Sequence, residues 1–113
     1  MSWGDDLDLS ARWERVEREP ASSGLYAIEI IGVRRFGDQL LWKFGRSKNI
    51  KRRKSELTYF GNAIVRYVQL LPESILVDAE RWMFASMPFS GTGAGREFVR
   101  ASRAEIEAWI GLN

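Results

Sequence analysis

The strongest constraint on this chain lies in residues 25–45. Residues 25–34 carry Ile28, Ile30, Ile31 and Val33. Such β-branched side chains are stiff about χ1 and favour an extended, pleated backbone. Phe36-Gly37-Asp38-Gln39 reads as a turn, and residues 40–45 read as the strand that returns. Two apolar strands joined this closely pair antiparallel, and the sheet so begun needs helices to cover it.

The rest of the chain supplies them. Gly61-Asn62 precedes a third strand over residues 63–71. Leu9, Trp13 and Val16 make one apolar stripe, so residues 8–18 read as a short amphipathic helix, ended by Pro20 and Ser22-Ser23-Gly24. Residues 48–57 read as a helix rich in Lys and Arg. Pro72 opens the longest helix, residues 73–87. A glycine-rich loop over residues 88–95 leads to a short strand at 96–99. Ser102 with Glu105 forms a capping box ahead of Ile106, Trp109 and Ile110, so the chain ends on a docked helix. The expected fold class is α/β, a small three-stranded antiparallel sheet flanked by helices. A single domain is expected over residues 1–113: an N-terminal helix within 1–20, a core at 24–99 and a C-terminal helix at 101–111.

Composition narrows the chemistry. At 113 residues and 45% hydrophobic the chain can bury one core without staples. It has no cysteine and no histidine, which excludes disulfides, thiolate nucleophiles, Cys- or His-held metals and His-based triads. Acid–base chemistry must therefore use Tyr, Lys, a carboxylate or metal-bound water. The lack of cysteine fits a reducing compartment, and a cytoplasmic location is expected. No segment approaches the length of apolar sequence that spans a bilayer, so no membrane partner is expected.

The net charge is only +2, but it is unevenly spread. Asp5, Asp6, Asp8, Glu14, Glu17 and Glu19 crowd the start, whereas Arg46, Lys48, Lys51, Arg52, Arg53 and Lys54 follow one another with no acid between them. That run is an electrostatic footprint for a polyanion, or else a solvated helix face. Within it Ile50 and Leu57 share a face, and Arg53 falls between them on the same inward side. A charge there needs a partner. Glu80, flanked at helical spacing by Leu76, Val77, Met83 and Phe84, is the candidate. An Arg53–Glu80 structural ion pair and an active site fit this pattern equally. Trp82, Met83 and Phe84 read as core. Tyr59, Phe60 and Tyr67 read as packing rather than base-stacking residues. The Gly91-Thr92-Gly93-Ala94-Gly95 loop lacks the ending of a phosphate loop.

Gly24-Leu25-Tyr26 resembles the GIY element of the GIY-YIG nuclease superfamily, and Lys43-Phe44-Gly45 stands where YIG would be. Lysine in place of that first tyrosine is similar to the phage-type branch. The glycine, turn and basic helix that follow also resemble the superfamily, whose functional arginine lies ten residues after the first YIG letter, here Arg53. A lone glutamate on the next helix matches Glu80, and Glu97 is a candidate for the late polar ligand. The resemblance spans roughly residues 24–99. It implies a metal-dependent DNA endonuclease hydrolysing phosphodiester bonds. Tyr26, Lys43, Arg53 and Glu80 would be catalytic, and Glu80 would hold a divalent cation, Mg2+ or Mn2+. Arg46, Lys48, Lys51, Arg52 and Lys54 would bind the DNA. The alternatives are a catalytically inactive nucleic-acid-binding module on the same scaffold, and a protein-interaction domain with an incidental basic helix. The hairpin carries its own condition. A tight turn at Gly37-Asp38 pairs Tyr26 with residue 49, so bringing Tyr26 beside Lys43 requires an asymmetric loop, with Gly32 the expected bulge.

Overall fold

A computed structural model describes residues 12–31, 37–57, 62–89, 91–92 and 95–112. In chain order the elements are β1 (Glu14–Arg15), β2 (Gly24–Ile31), β3 (Leu40–Ser47), α1 (Ile50–Glu56), β4 (Asn62–Leu70), α2 (Leu76–Ser86), β5 (Gly91–Thr92), β6 (Gly95–Ala101) and α3 (Arg103–Ile110). A 3-10 turn at Glu73–Ile75 leads into α2. The fold is α/β, but the expected three strands are only the centre of a wider sheet. Among the described residues six antiparallel strands pair in the order β1-β4-β2-β3-β6-β5.

Strand β2 lies in the middle and is buried on both faces, which is why its sequence is almost uninterrupted in apolar residues. On one face Leu25, Ala27, Trp42, Phe44 and Val99 meet Leu76, Ala79 and Met83 of α2 and Ile106 of α3. On the other, Tyr26, Ile28, Ile30, Val65 and Val68 meet Ile50 and Leu57 at the two ends of α1. Glu29 interrupts the run at 2% exposure, and it is satisfied by Arg66 and Arg103, each 3.0 Å from its Oε1. Arg66 is the extra residue of a bulge in β4, where Ala27 pairs with Tyr67 and Ile28 with Val65.

The expected N-terminal helix is corrected over its described part. Residues 12–20 are not helical, and Glu14–Arg15 adds a strand to the edge of β4. Tertiary contacts outweigh the helical spacing. Trp13 packs on the α2–α3 side and Val16 on the α1 side, and the Arg15 guanidinium donates to Glu107 at 2.8 Å and to the Leu112 carbonyl at 2.7 Å. The start of that expected helix, residues 8–11, lies outside the described residues. The capping box forms as expected: the Glu105 amide donates to Ser102 Oγ at 3.1 Å, and the Ser102 amide donates to Glu105 Oε1 at 3.0 Å. Among the described residues no helix is long and apolar enough to cross a membrane.

Candidate active site and nucleic-acid interface

The β2–β3 register decides whether the motif residues can meet. Tyr26 pairs with Gly45 and Ile28 with Lys43. Since side chains alternate along a strand, Tyr26, Ile28, Lys43 and Gly45 all project from the same face. Tyr26 is therefore beside Lys43 on a diagonal, and not opposite residue 49. The described pairing runs without a shift from Gly24 with Ser47 to Ile30 with Leu41; Gly32, the expected bulge, lies outside the described residues.

Both motif glycines have a steric reason. A Cβ on Gly24 would collide with the Gln69 carbonyl of β4. A Cβ on Gly45 would lie 2.5 Å from Tyr26 Oη and 2.8 Å from its Cζ, so the tyrosine ring lies across β3 through space that only glycine leaves.

Tyr26, Lys43, Arg53, Glu80 and Glu97 line one cavity of about 330 Å³, with Gly45 in its floor. They arrive by different routes. α1 covers the face from which Tyr26 and Lys43 project, and it brings Arg53. α2 covers the opposite face, yet Glu80 reaches the cavity at the sheet's rim, beyond the last β3–β6 pair, Lys43 with Phe98. The expectation that Arg53 lies on the inward stripe of α1 is corrected: Ile50 and Leu57 are buried, but the Arg53 side chain is 44% exposed. A two-turn helix buries only a narrow stripe, and Arg53 sits at its edge.

Of the two readings left open for Arg53 and Glu80, the direct ion pair does not form. Arg53 meets Glu56 at 3.4 Å, and Glu80 meets Arg46 at 3.3 Å. Arg46–Glu80 joins residues far apart in the chain and has no local signal. Arg53–Glu56 has helical i,i+3 spacing and was open to a reading of the charges alone.

The electrostatics separate the two strand residues. Burial pushes the Tyr26 phenol up to about 12; Arg53 opposes this, and Glu80, Glu97 and Glu56 add to it. Burial pulls the Lys43 ammonium below its ordinary value; Glu97 and Glu80 oppose this, and Arg53 adds to it. Lys43 Nζ stands 4.9 Å from the centre of the Phe98 ring, and among the described residues no carboxylate is within ion-pair distance.

A second cavity of about 270 Å³ adjoins the first, with Arg46 and Arg53 in the walls of both. Arg46, Lys48 and Arg52 line it, whereas Lys51 and Lys54 do not. Lys51 is exposed on α1, and Lys54 is half-buried. For a hard divalent cation the suitable donors are the carboxylates of Glu80 and Glu97. Among the described residues no three such groups cluster into a closed cage.

Two readings of aromatic residues also meet the structure. Trp82 is not core: it is 42% exposed and lines an apolar hollow between α2 and α3. Tyr67 is packing, as expected; it is buried and donates to Glu107 Oε2 at 2.5 Å. Tyr59 and Phe60 lie outside the described residues. No protein-family model, curated protein or solved structure matches this chain.

Proposed function

We propose that this protein is a metal-dependent DNA endonuclease of the GIY-YIG type. The observation that carries the reading is the shared cavity. Tyr26, Lys43, Arg53 and Glu80 come from two strands and two helices, and nothing local obliges them to meet, yet all four line it.

In this reading the scissile phosphate enters between Arg53 and Glu80. Water attacks phosphorus in line with the leaving oxygen. Lys43 is the better base, because its depressed basicity raises the fraction of free amine. Its Nζ takes the proton from the attacking water as the new P–O bond forms and the bond to the leaving oxygen breaks. Tyr26 stays protonated at neutral pH and donates a hydrogen bond that positions the water. The Arg53 guanidinium, with free donors beyond its long contact to Glu56, balances the charge that grows on the non-bridging oxygens. A divalent cation held by Glu80 would supply Lewis-acid stabilisation of the leaving oxygen. Arg46 must then release Glu80; their contact is a partly exposed pair at 3.3 Å, and such pairs exchange readily.

One observation favours a second reading. Glu80 already has a cationic partner in Arg46, as a carboxylate would in a binding module that performs no hydrolysis. Incubating the protein with duplex, branched and single-stranded DNA separates the two. Strand scission with Mn2+ or Mg2+ that stops with chelator supports the endonuclease. Salt-sensitive binding without scission supports the module. Neither scission nor binding would overturn both.

A further inference from the structure

The basic residues of this chain are not equivalent. Arg46, Lys48 and Arg52 converge on the second cavity, while Lys51 and Lys54 of the same run stay outside it. Its rim is held by local hydrogen bonds: Ser47 Oγ donates to the Asn49 carbonyl at 2.7 Å, and Asn49 Oδ1 accepts from the Arg52 amide at 3.1 Å. One acid also lines the cavity. The two carboxylate oxygens of Glu56 face Arg52 Nε at 3.5 Å and Arg53 at 3.4 Å. A carboxylate spanning two guanidiniums occupies the position that a phosphate, with the same charge sign and similar acceptors, would take. Both pairs are exposed, so an incoming anion can displace them at little cost.

The two cavities share Arg46 and Arg53, so a strand with one phosphodiester in the first is led directly to the second. We propose that the second cavity is a phosphate subsite for the nucleotide next to the reacting one, with Glu56 as the resident anion that a DNA phosphate displaces. This rests on the nucleic-acid reading of the first cavity and adds a device to it. Glu56 lowers the affinity of the free protein for any anion at this cavity by the same small factor, because a ligand must outcompete an internal carboxylate.

The test is a double-mutant cycle read by anisotropy of a short labelled DNA duplex in chelator, so that no cleavage is needed. Glu56→Gln should tighten binding about fivefold, the scale of two exposed ion pairs released. Arg52→Ala should weaken it and lower the log-affinity against log-salt slope by about 0.9. The gain from Glu56→Gln should fall by about half in the Arg52→Ala background, where the Arg53 pair alone remains, and persist in full in a Lys51→Ala background. Glu56→Ala serves as the second variant and should behave as Glu56→Gln does. A matched control, Glu73→Gln, removes an exposed acid outside the cavity and should change affinity far less. Equal gains for Glu56→Gln with and without Arg52 would reduce the effect to general repulsion and overturn the subsite. So would equal gains for Glu56→Gln and Glu73→Gln. Inorganic phosphate binding as tightly as the duplex would assign the cavity to free phosphate and overturn the strand. No duplex binding by the wild type would overturn the nucleic-acid reading itself, a failure distinct from binding without coupling.

Discussion

Replacing Gly45 by alanine tests the geometry on which the candidate site depends. The new Cβ would lie 2.5 Å from Tyr26 Oη, 2.8 Å from Cζ and 3.4 Å from Cε1. Tyr26 is 3% exposed, with Ile50, Leu57 and Val68 in the same core, so its ring has little freedom to withdraw. Overpacking of this kind costs about 1–3 kcal/mol. Against it stands a gain of about 0.5–1 kcal/mol from replacing glycine inside a strand. The net expectation is a loss of about 1–2 kcal/mol, or a fall of about 4–8 °C in Tm for a domain of this size. Thermal denaturation by circular dichroism reads it. Tyr26→Phe removes the closest of the three contacts and leaves the others. Gly45→Ala should therefore cost less in that background, with a coupling of about 0.5–1 kcal/mol. An unchanged or raised Tm for Gly45→Ala, or strict additivity with Tyr26→Phe, would mean that the Tyr26 ring does not lie across Gly45.

Three further outcomes are expected. Arg66→Ala leaves buried Glu29 with Arg103 alone and should cost about 1–3 kcal/mol in denaturant unfolding, with Glu29→Gln relieving part of that loss in the double variant. The Tyr26 phenol titrates near 10 in the unfolded chain and about 12 in the folded one, so its contribution to stability is complete below pH 10 and lost as pH rises towards 12. Tyr67 is raised as well, by burial and by its hydrogen bond to Glu107, and acts in the same direction. Tyr26→Phe should therefore flatten part of the alkaline fall in Tm, and Tyr67→Phe a further part. If the proposed cleavage uses the free amine of Lys43 as its base, the rate should rise with pH and level off below the ordinary lysine value. Lys43→Arg should lose that rising limb while still binding DNA; an unaltered pH–rate profile in Lys43→Arg would exclude Lys43 as the base.

The sheet centre was readable because it is patterned locally. The Ile-rich run of β2, the return at Leu40 and the Ser102–Glu105 box each rest on neighbours within a few residues. β1 and β5 have two residues each, too short to show a period, and the spacing of Trp13 and Val16 imitates a helix although the two pack on opposite sides of the sheet. The same division holds at the candidate site. Arg53 and Glu80 could be picked out from their helical surroundings, but their actual ion-pair partners could not both be. Glu56 is one turn from Arg53, whereas Arg46 meets Glu80 only because α2 folds back over β3. Glu29 carries a local signal of its own: a lone acid in an apolar strand has to find cations, and here it finds them on β4 and α3.

The most direct test of the central claim compares wild type and Glu80→Gln in two assays on the same DNA. The account predicts that scission with Mn2+ falls by roughly a hundredfold or more in Glu80→Gln, the scale expected when electrostatic stabilisation of a transition state is removed. DNA binding in chelator should hold or tighten, since Glu80 repels phosphate and Arg46 is released from it. Equal scission by Glu80→Gln and wild type, with both variants folded, would contradict the claim that Glu80 is the centre of the reaction.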